Sequence, residues 1–167
     1  NATGYANQRK ISRSSDGTLH TVYSKDNGTV FHIFHAYSAD SGTTWTEEQV
    51  SSSAATSFQI YPSIAVDSQD NIHVVWSGYG WGNNTGDPNI QYRVKTSAGW
   101  LAQESVTDKD KDQYHPSITV DSQDNIHVVW FGLGWGDNLS FDNIRYRMRD
   151  SIGWQAHEGV TDKDEDQ

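Results

Sequence analysis

The sequence predicts an all-β protein of three tandem four-stranded units, each of the kind that forms one blade of a β-propeller. Three features lead there. Pro62 to Gln113 aligns with Pro116 to Gln167 without a gap, with 35 of 52 positions identical by direct count; tandem similarity at such a period marks a repeat architecture. Apolar residues fall in short β-branched and aromatic runs bounded by Gly, Asn, Asp and Ser. No segment carries a convincing helical period.

The third unit is found by a looser match. "SSDGTLHTVYS" (Ser14 to Ser24) pairs with "DSQDNIHVVWS" (Asp67 to Ser77) at a shift of 53. The units are therefore about 8–60, 61–113 and 114–167, within a single domain over 1–167. His20, His73 and His127 share one repeat position, and Tyr23, Trp76 and Trp130 share another. Within a unit, "SIAVD" alternates and predicts the first strand, and "SQDN" turns the chain. "IHVVW" is the second strand. "NIQYRVK" and "NIRYRMR" alternate again as the third. "SAGW" and "SIGW" turn into a short fourth strand near "WLAQESV" and "WQAHEGV". Burial of both sheet faces between neighbouring blades explains why "IHVVW" does not alternate cleanly.

Composition bounds the function. The 167 residues can bury a real core. Seven Trp and eight Tyr suit aromatic-rich strands joined by tight turns. There is no cysteine, which removes disulfides, zinc-thiolate sites and Cys nucleophiles and leaves the compartment open. An extracellular or cell-surface setting is the favoured expectation. The formal charge of −10 repels phosphate backbones, so nucleic acid is not an expected partner. No apolar run approaches a membrane-spanning helix, and no membrane insertion is expected. Sequons at Asn1, Asn27, Asn83 and Asn138 matter only in a host that glycosylates.

"SADSGTTW" (Ser38 to Trp45) fits S-x-D-x-G-x-x-W. It resembles the Asp-box, or bacterial neuraminidase repeat, of the sialidase-superfamily propellers. In that family the box is the hairpin turn between the third and fourth strands of a blade. The resemblance implies that Ser38 opens the box, that Asp40 hydrogen-bonds turn backbone, that Gly42 takes a positive φ and that Trp45 packs between blades. "TSAGW" and "DSIGW" keep only the Gly-Trp end of the motif.

Propellers close with about 4 to 8 blades. Three blades would leave two broad apolar faces. A homodimer that completes a six-bladed ring is one expectation, and a chain that is an excerpt of a larger propeller is the other.

In the resembled family the functional face carries the loops between strands 2 and 3 and those linking successive blades. Here "SGYGWGNNTGDP" and "FGLGWGDNLSFD" both contain a Trp between glycines. Trp81 and Trp135 are candidate platforms for a sugar ring, with Asn84 and Asn138 as candidate partners for hydroxyls. The competing reading is that each Trp packs over the neighbouring blade. Tyr114 and His115 enter the third unit beside an inter-blade loop and are further candidates for the central face, unless they seat the first strand. Asp108, Asp110 and Asp112, and likewise Asp162, Asp164 and Asp166, have a D-x-D-x-D spacing that could gather around Ca²⁺. The glycine and distal glutamate of a calcium loop are absent, and a solvated acidic turn is the stronger reading. No other cofactor is indicated. The three equivalent histidines read as satisfied core residues rather than a metal site.

A sialidase needs an arginine triad, a Tyr–Glu pair and an Asp acid/base. "QRKISR" lacks the Pro of that family's first-blade signature. Arg93 and Arg147 repeat, which suggests structural cation–π or hydrogen-bonded roles. No catalytic residue is assigned. Two blades this alike suit repeated binding sites better than one asymmetric catalytic centre. The expected function is lectin-like carbohydrate recognition. Part of a sialidase-like glycosidase and a structural or protein-binding propeller are the alternatives.

Overall fold

A computed structural model describes residues 9–26, 28–52, 57–81, 85–135 and 139–161. Among them there is no helix, and three separate antiparallel sheets follow one another along the chain. Blade 1 runs β1 (Ile11–Arg13), β2 (Leu19–Asp26), β3 (Phe31–Ser38), β4 (Thr46–Gln49) in sequence order. Blade 2 runs β5 (Gln59–Val66), β6 (Ile72–Gly78), β7 (Asn89–Thr96), and then a divided edge made of β8 (Gly99–Trp100) and β9 (Glu104–Ser105). Blade 3 repeats this with β10 (Gln113–Val120), β11 (Ile126–Gly132), β12 (Asn143–Asp150), β13 (Gly153–Trp154) and β14 (Glu158–Gly159).

The expected fourth strand is thus two short pieces in blades 2 and 3, both paired to the same third strand. Thr96 pairs with Gly99 across a tight turn, and Gly99 adopts φ 107. The chain then leaves the ladder over 101–103 and rejoins it at Glu104.

Register across β2–β3, β6–β7 and β11–β12 is equivalent. His20 faces Tyr37, His73 faces Val94 and His127 faces Met148. The turn between the first two strands is held by an Asx arrangement. The Asp67 carboxylate accepts from the amides of Gln69 at 2.9 Å and Asn71 at 2.8 Å, and Asp121 does the same for Gln123 and Asn125. Blade 1 has Ser14 in place of that aspartate, and Asp16 takes over, accepting from the Thr18 amide at 2.8 Å.

The repeated histidines join this turn to the third strand. His73 lies 3.0 Å from Asp67 Oδ2 and 2.7 Å from the Tyr92 hydroxyl, and His127 makes the matching contacts with Asp121 and Tyr146. His20 instead meets Ser14 and His35. Their polar atoms are satisfied inside the blade.

The core lies between blades. Val22, Ile33 and Val50 of blade 1 meet Ile64, Ile72, Val74 and Trp76 of blade 2. Val75, Ile90, Tyr92 and Val106 on the other face of blade 2 meet Ile118, Ile126, Val128 and Trp130 of blade 3. Each such side chain contributes roughly 1.5–3 kcal/mol by leaving water. Blade 2 is sandwiched, so every residue of β6 is buried, whereas β11 alternates. The innermost strands β5 and β10 pack on each other and on the blade before. This row of face-packed four-stranded sheets is propeller-like.

Candidate functional site

A groove of about 520 Å³ opens between blades 1 and 2. Gln49, Ser51 and Ser52 line it from the end of blade 1, and Trp81, Arg93 and Gln103 from blade 2. Its floor is built from the strands upward. Gln59 is fully buried at the start of β5, and its Oε1 accepts from the Trp76 indole at 2.8 Å and the Trp81 indole at 3.3 Å. The Gln59 amide group donates to the carbonyls of Ser57 and Tyr79. Gly78 makes this possible, because a Cβ there would sit 2.1 Å from Gln59 Oε1. The Trp81 ring is thereby fixed by its N–H edge and stays half-buried in the groove.

Arg93 forms part of the wall. It donates to the Leu101 carbonyl at 2.7 Å and to the Val50 carbonyl of blade 1 at 2.5 Å, and it lies 5.7 Å from the Trp100 ring centre. Gln49 donates to the Ser51 carbonyl, while the Ser51 hydroxyl receives the Ile33 amide at 3.0 Å. Gln103 donates to Gln91 Oε1 at 3.2 Å. That pair leaves Gln103 Oε1 and Gln91 Nε2 buried without a hydrogen-bond partner. A buried acceptor and donor left unpaired cost about 1–3 kcal/mol each. An aromatic face beside amide and hydroxyl groups is the chemistry that recognises a sugar.

Trp135 does not share this exposure, which corrects the reading of two equivalent platforms. It is 8% exposed, with Lys109 Nζ 4.0 Å above its ring centre and the Arg145 guanidinium carbon at 4.5 Å. Its indole donates to Gln113 at 2.8 Å, as Trp130 does. The cations and His157 at 5.2 Å enclose it as a packing residue. Asn84 and Asn138 lie outside the described residues.

Tyr114 and His115 are not among the groove's lining residues. They sit on β10, where the ladder shifts register between Tyr114 and Ser117, and His115 adopts φ 52. Tyr61 occupies the same bulge in β5 with φ 57. The His115 ring stacks on Tyr61 at 3.9 Å and lies 5.2 Å from Phe131, and the Tyr114 and Tyr79 hydroxyls are 2.8 Å apart. Burial and the neighbouring Lys10 hold the His115 imidazole below its ordinary range. Left-handed backbone at bulky residues is strained, and its recurrence at both bulges marks a second aromatic cluster on the inner strands.

Among the described residues no group of three or more His, Asp or Glu is arranged to hold a metal ion, and this includes Asp108, Asp110 and Asp112. Asp112 has its carboxyl pushed upward by burial and by Asp87. Asp162, Asp164 and Asp166 lie outside the described residues.

In the β3–β4 turn Asp40 accepts from the Thr44 amide at 2.8 Å and from the Ser38 hydroxyl at 2.7 Å. Gly42 has φ 91 and donates to Ser38 Oγ. Trp45 is 44% exposed, so packing between blades does not hold for it. Its counterparts do pack on the preceding blade. Trp100 meets His35 edge-on at 5.8 Å and Trp154 meets Tyr92 at 5.3 Å. No blade precedes Trp45 among the described residues.

No family model matches the chain, and no curated protein matches it. Solved structures do. A PL25 ulvan lyase superposes with a TM-score of 0.68 at 14% identity, over 94% of this chain and 44% of the lyase. The GH93 α-L-arabinofuranosidase of Fusarium graminearum, solved with arabinobiose, gives 0.66 at 14%, over 97% of this chain and 52% of the enzyme. Trypanosoma rangeli sialidase, solved with the inhibitor DANA, gives 0.60 at 11%, over 89% of this chain and 30% of that one. The chain thus spans about half of the first two and less of the third. At these identities the likeness establishes the fold: a sialidase-like, propeller-type architecture shared with carbohydrate-active enzymes.

Proposed function

We propose that the chain recognises carbohydrate without catalysis, in the groove between blades 1 and 2. The observation that carries this is the half-buried Trp81, held by its indole N–H, lining one groove with the polar side chains of Gln49, Ser52 and Gln103. In this reading the sugar's C–H face stacks on Trp81. Its hydroxyls pair with Gln103, Gln49 and Ser52. Arg93 is already committed to two carbonyls and shapes the wall. Among the described residues the site has no twin in blade 3, where Lys109 and Arg145 cover the equivalent ring. The enzymes that share the fold act on glycans, which favours carbohydrate as the ligand class.

Glycan-array binding followed by titration calorimetry tests the proposal. Trp81→Ala is expected to lower affinity at least tenfold, and Gln103→Ala to lower it several-fold. Binding that survives Trp81→Ala removes the groove from consideration. Turnover of an aryl glycoside, including an aryl sialoside, overturns the non-catalytic part and restores the glycosidase reading. A ring completed by a second copy would add blades at both ends without entering this groove, so the solution mass is a separate question.

A further inference from the structure

The two interfaces between blades share a polar clamp, and its parts recur residue for residue. The third strand of the later blade sends an arginine to a valine carbonyl of the earlier one: Arg93 to Val50 and Arg147 to Val106, each at 2.5 Å. Two residues on, a second cation pairs with a glutamate: Lys95 with Glu48, and Arg149 with Glu104 at 3.1 Å. At the turn between the first two strands, an aspartate in the left-handed conformation reaches back to a serine. Asp70 (φ 61) accepts from the Ser15 amide and hydroxyl at 2.6 and 2.5 Å. Asp124 (φ 62) does so from Ser68 at 2.9 and 2.6 Å.

Among the described residues, blade 3 presents the valine, glutamate and serine half of this clamp with nothing on it. Val160 donates its amide to Ile144 as Val106 does to Ile90 and Val50 to Ile33. Val106 and Val50 are fully buried, and Val160 is 60% exposed. Val129 faces Tyr146 as Val75 faces Tyr92, and its exposure is 40% against none. Glu158 pairs with Tyr146 in the ladder as Glu104 does with Tyr92, and it is exposed.

Blade 1 lacks the opposite half, the two cations and the left-handed aspartate. By register Ala36 stands where Arg93 and Arg147 stand, opposite Thr21 in place of Val74 and Val128. Ser38 stands where Lys95 and Arg149 stand, opposite Leu19 in place of Ile72 and Ile126. Gly17 closes its turn on Ser14 as Asp70 closes on Asp67 and Asp124 on Asp121. It holds the left-handed φ, 91, without the carboxylate.

We infer that the outer face of blade 3 is a docking surface for a further unit of this same repeat, one that carries the Arg-x-Lys/Arg strand and the left-handed aspartate. Blade 1 of a second copy is not that occupant. The face continues an interface already present in the molecule, and its recognition chemistry is the one that joins blade 3 to blade 2.

Light scattering of the full chain across concentrations tests this. The unmodified chain is expected to stay at the mass of one chain or to associate only weakly. Gly17→Asp with Ala36→Arg places the missing carboxylate and guanidinium on blade 1, and is expected to tighten head-to-tail association at least tenfold, a gain that Glu158→Ala leaves in place and Val129→Asp abolishes. Gly17 already has the required φ, and a Cβ there meets only the flexible end of Arg13. Should that variant fail to fold, the chain lengthened by a second copy of residues 114–167 is measured by hydrogen exchange. Its amides at Val129 and Val160 are expected to reach the protection of Val75 and Val106. A discrete dimer of the unmodified chain that Ile11→Asp or Val129→Asp dissolves makes blade 1 the occupant and overturns the inference. So does the absence of both gains.

Discussion

Truncating Trp81 and Trp135 separately divides a binding residue from a packing residue in two loops of near-identical sequence. Trp135 is 8% exposed and enclosed by Lys109, Arg145 and His157. Removing a buried Trp side chain costs roughly 3–5 kcal/mol through lost transfer energy and the cavity left behind. Gln113 Oε1 keeps its bond from Trp130 at 2.8 Å, so no orphaned acceptor adds to the loss. About 4 kcal/mol is therefore expected for Trp135→Ala. At about 2–4 °C per kcal/mol for a chain of this size, Tm falls by roughly 8–16 °C. Trp81 is half-buried, and its indole bond is longer, at 3.3 Å. Trp81→Ala is expected to cost about 1–2 kcal/mol of stability, while glycan binding is lost. Chemical denaturation and calorimetric titration of the two variants give both readouts. If Trp135→Ala changes stability by less than about 1 kcal/mol and abolishes binding as Trp81→Ala does, the loops are equivalent sites and the distinction drawn from burial is wrong.

The same logic applies to two valines at one repeat position. Val75→Ala is expected to cost about 2–3 kcal/mol, two methyl groups plus a cavity, and Val129→Ala about 1 kcal/mol; equal urea midpoints would show that the outer face of blade 3 is covered in solution. Gly78→Ala forces a Cβ against Gln59 and is expected to destabilise by about 1–3 kcal/mol, with the tryptophan near-UV signal changing in parallel. His35 is held down to about 4 from 6.5 by burial. Its folded form therefore binds fewer protons than the unfolded chain. Stability from this group is complete above pH 6.5 and is lost as pH falls from 6.5 through 4, by on the order of 3 kcal/mol. Urea midpoints followed over that window should fall in the parent chain, and more shallowly in His35→Gln; parallel slopes would show that His35 is not the titrating group.

The strands were legible because their signals are local. Alternation, Asx turns and Gly-Trp ends act within a few residues, and every predicted strand of "SIAVD", "IHVVW" and "NIQYRVK" type lies in a blade at equivalent register. The divided fourth strand was not legible, since a ladder interrupted over 101–103 reads like one irregular run. For the site, Trp81 could be singled out from its glycine-flanked loop, but Gln49, Ser51 and Gln103 could not. They carry no motif, and they converge only because two blades pack face to face. The paired glycines at 78 and 132, each following the second-strand Trp by two residues, were the one overlooked local signal of the Trp–Gln–Trp floor.

By itself the sequence determined the repeat, the three principal strands of blades 2 and 3 and their Asx and Gly-Trp turns, because hydrophobic period and turn chemistry are properties of contiguous residues. It also set which residues are equivalent between units. Only the tertiary structure decided that equivalent residues have different fates. Trp81 opens to a groove where Trp135 is roofed by two cations, and Val75 is dry where Val129 is wet. Burial and pairing depend on the neighbouring blade, and a repeat written along the chain holds no record of what lies beside each copy.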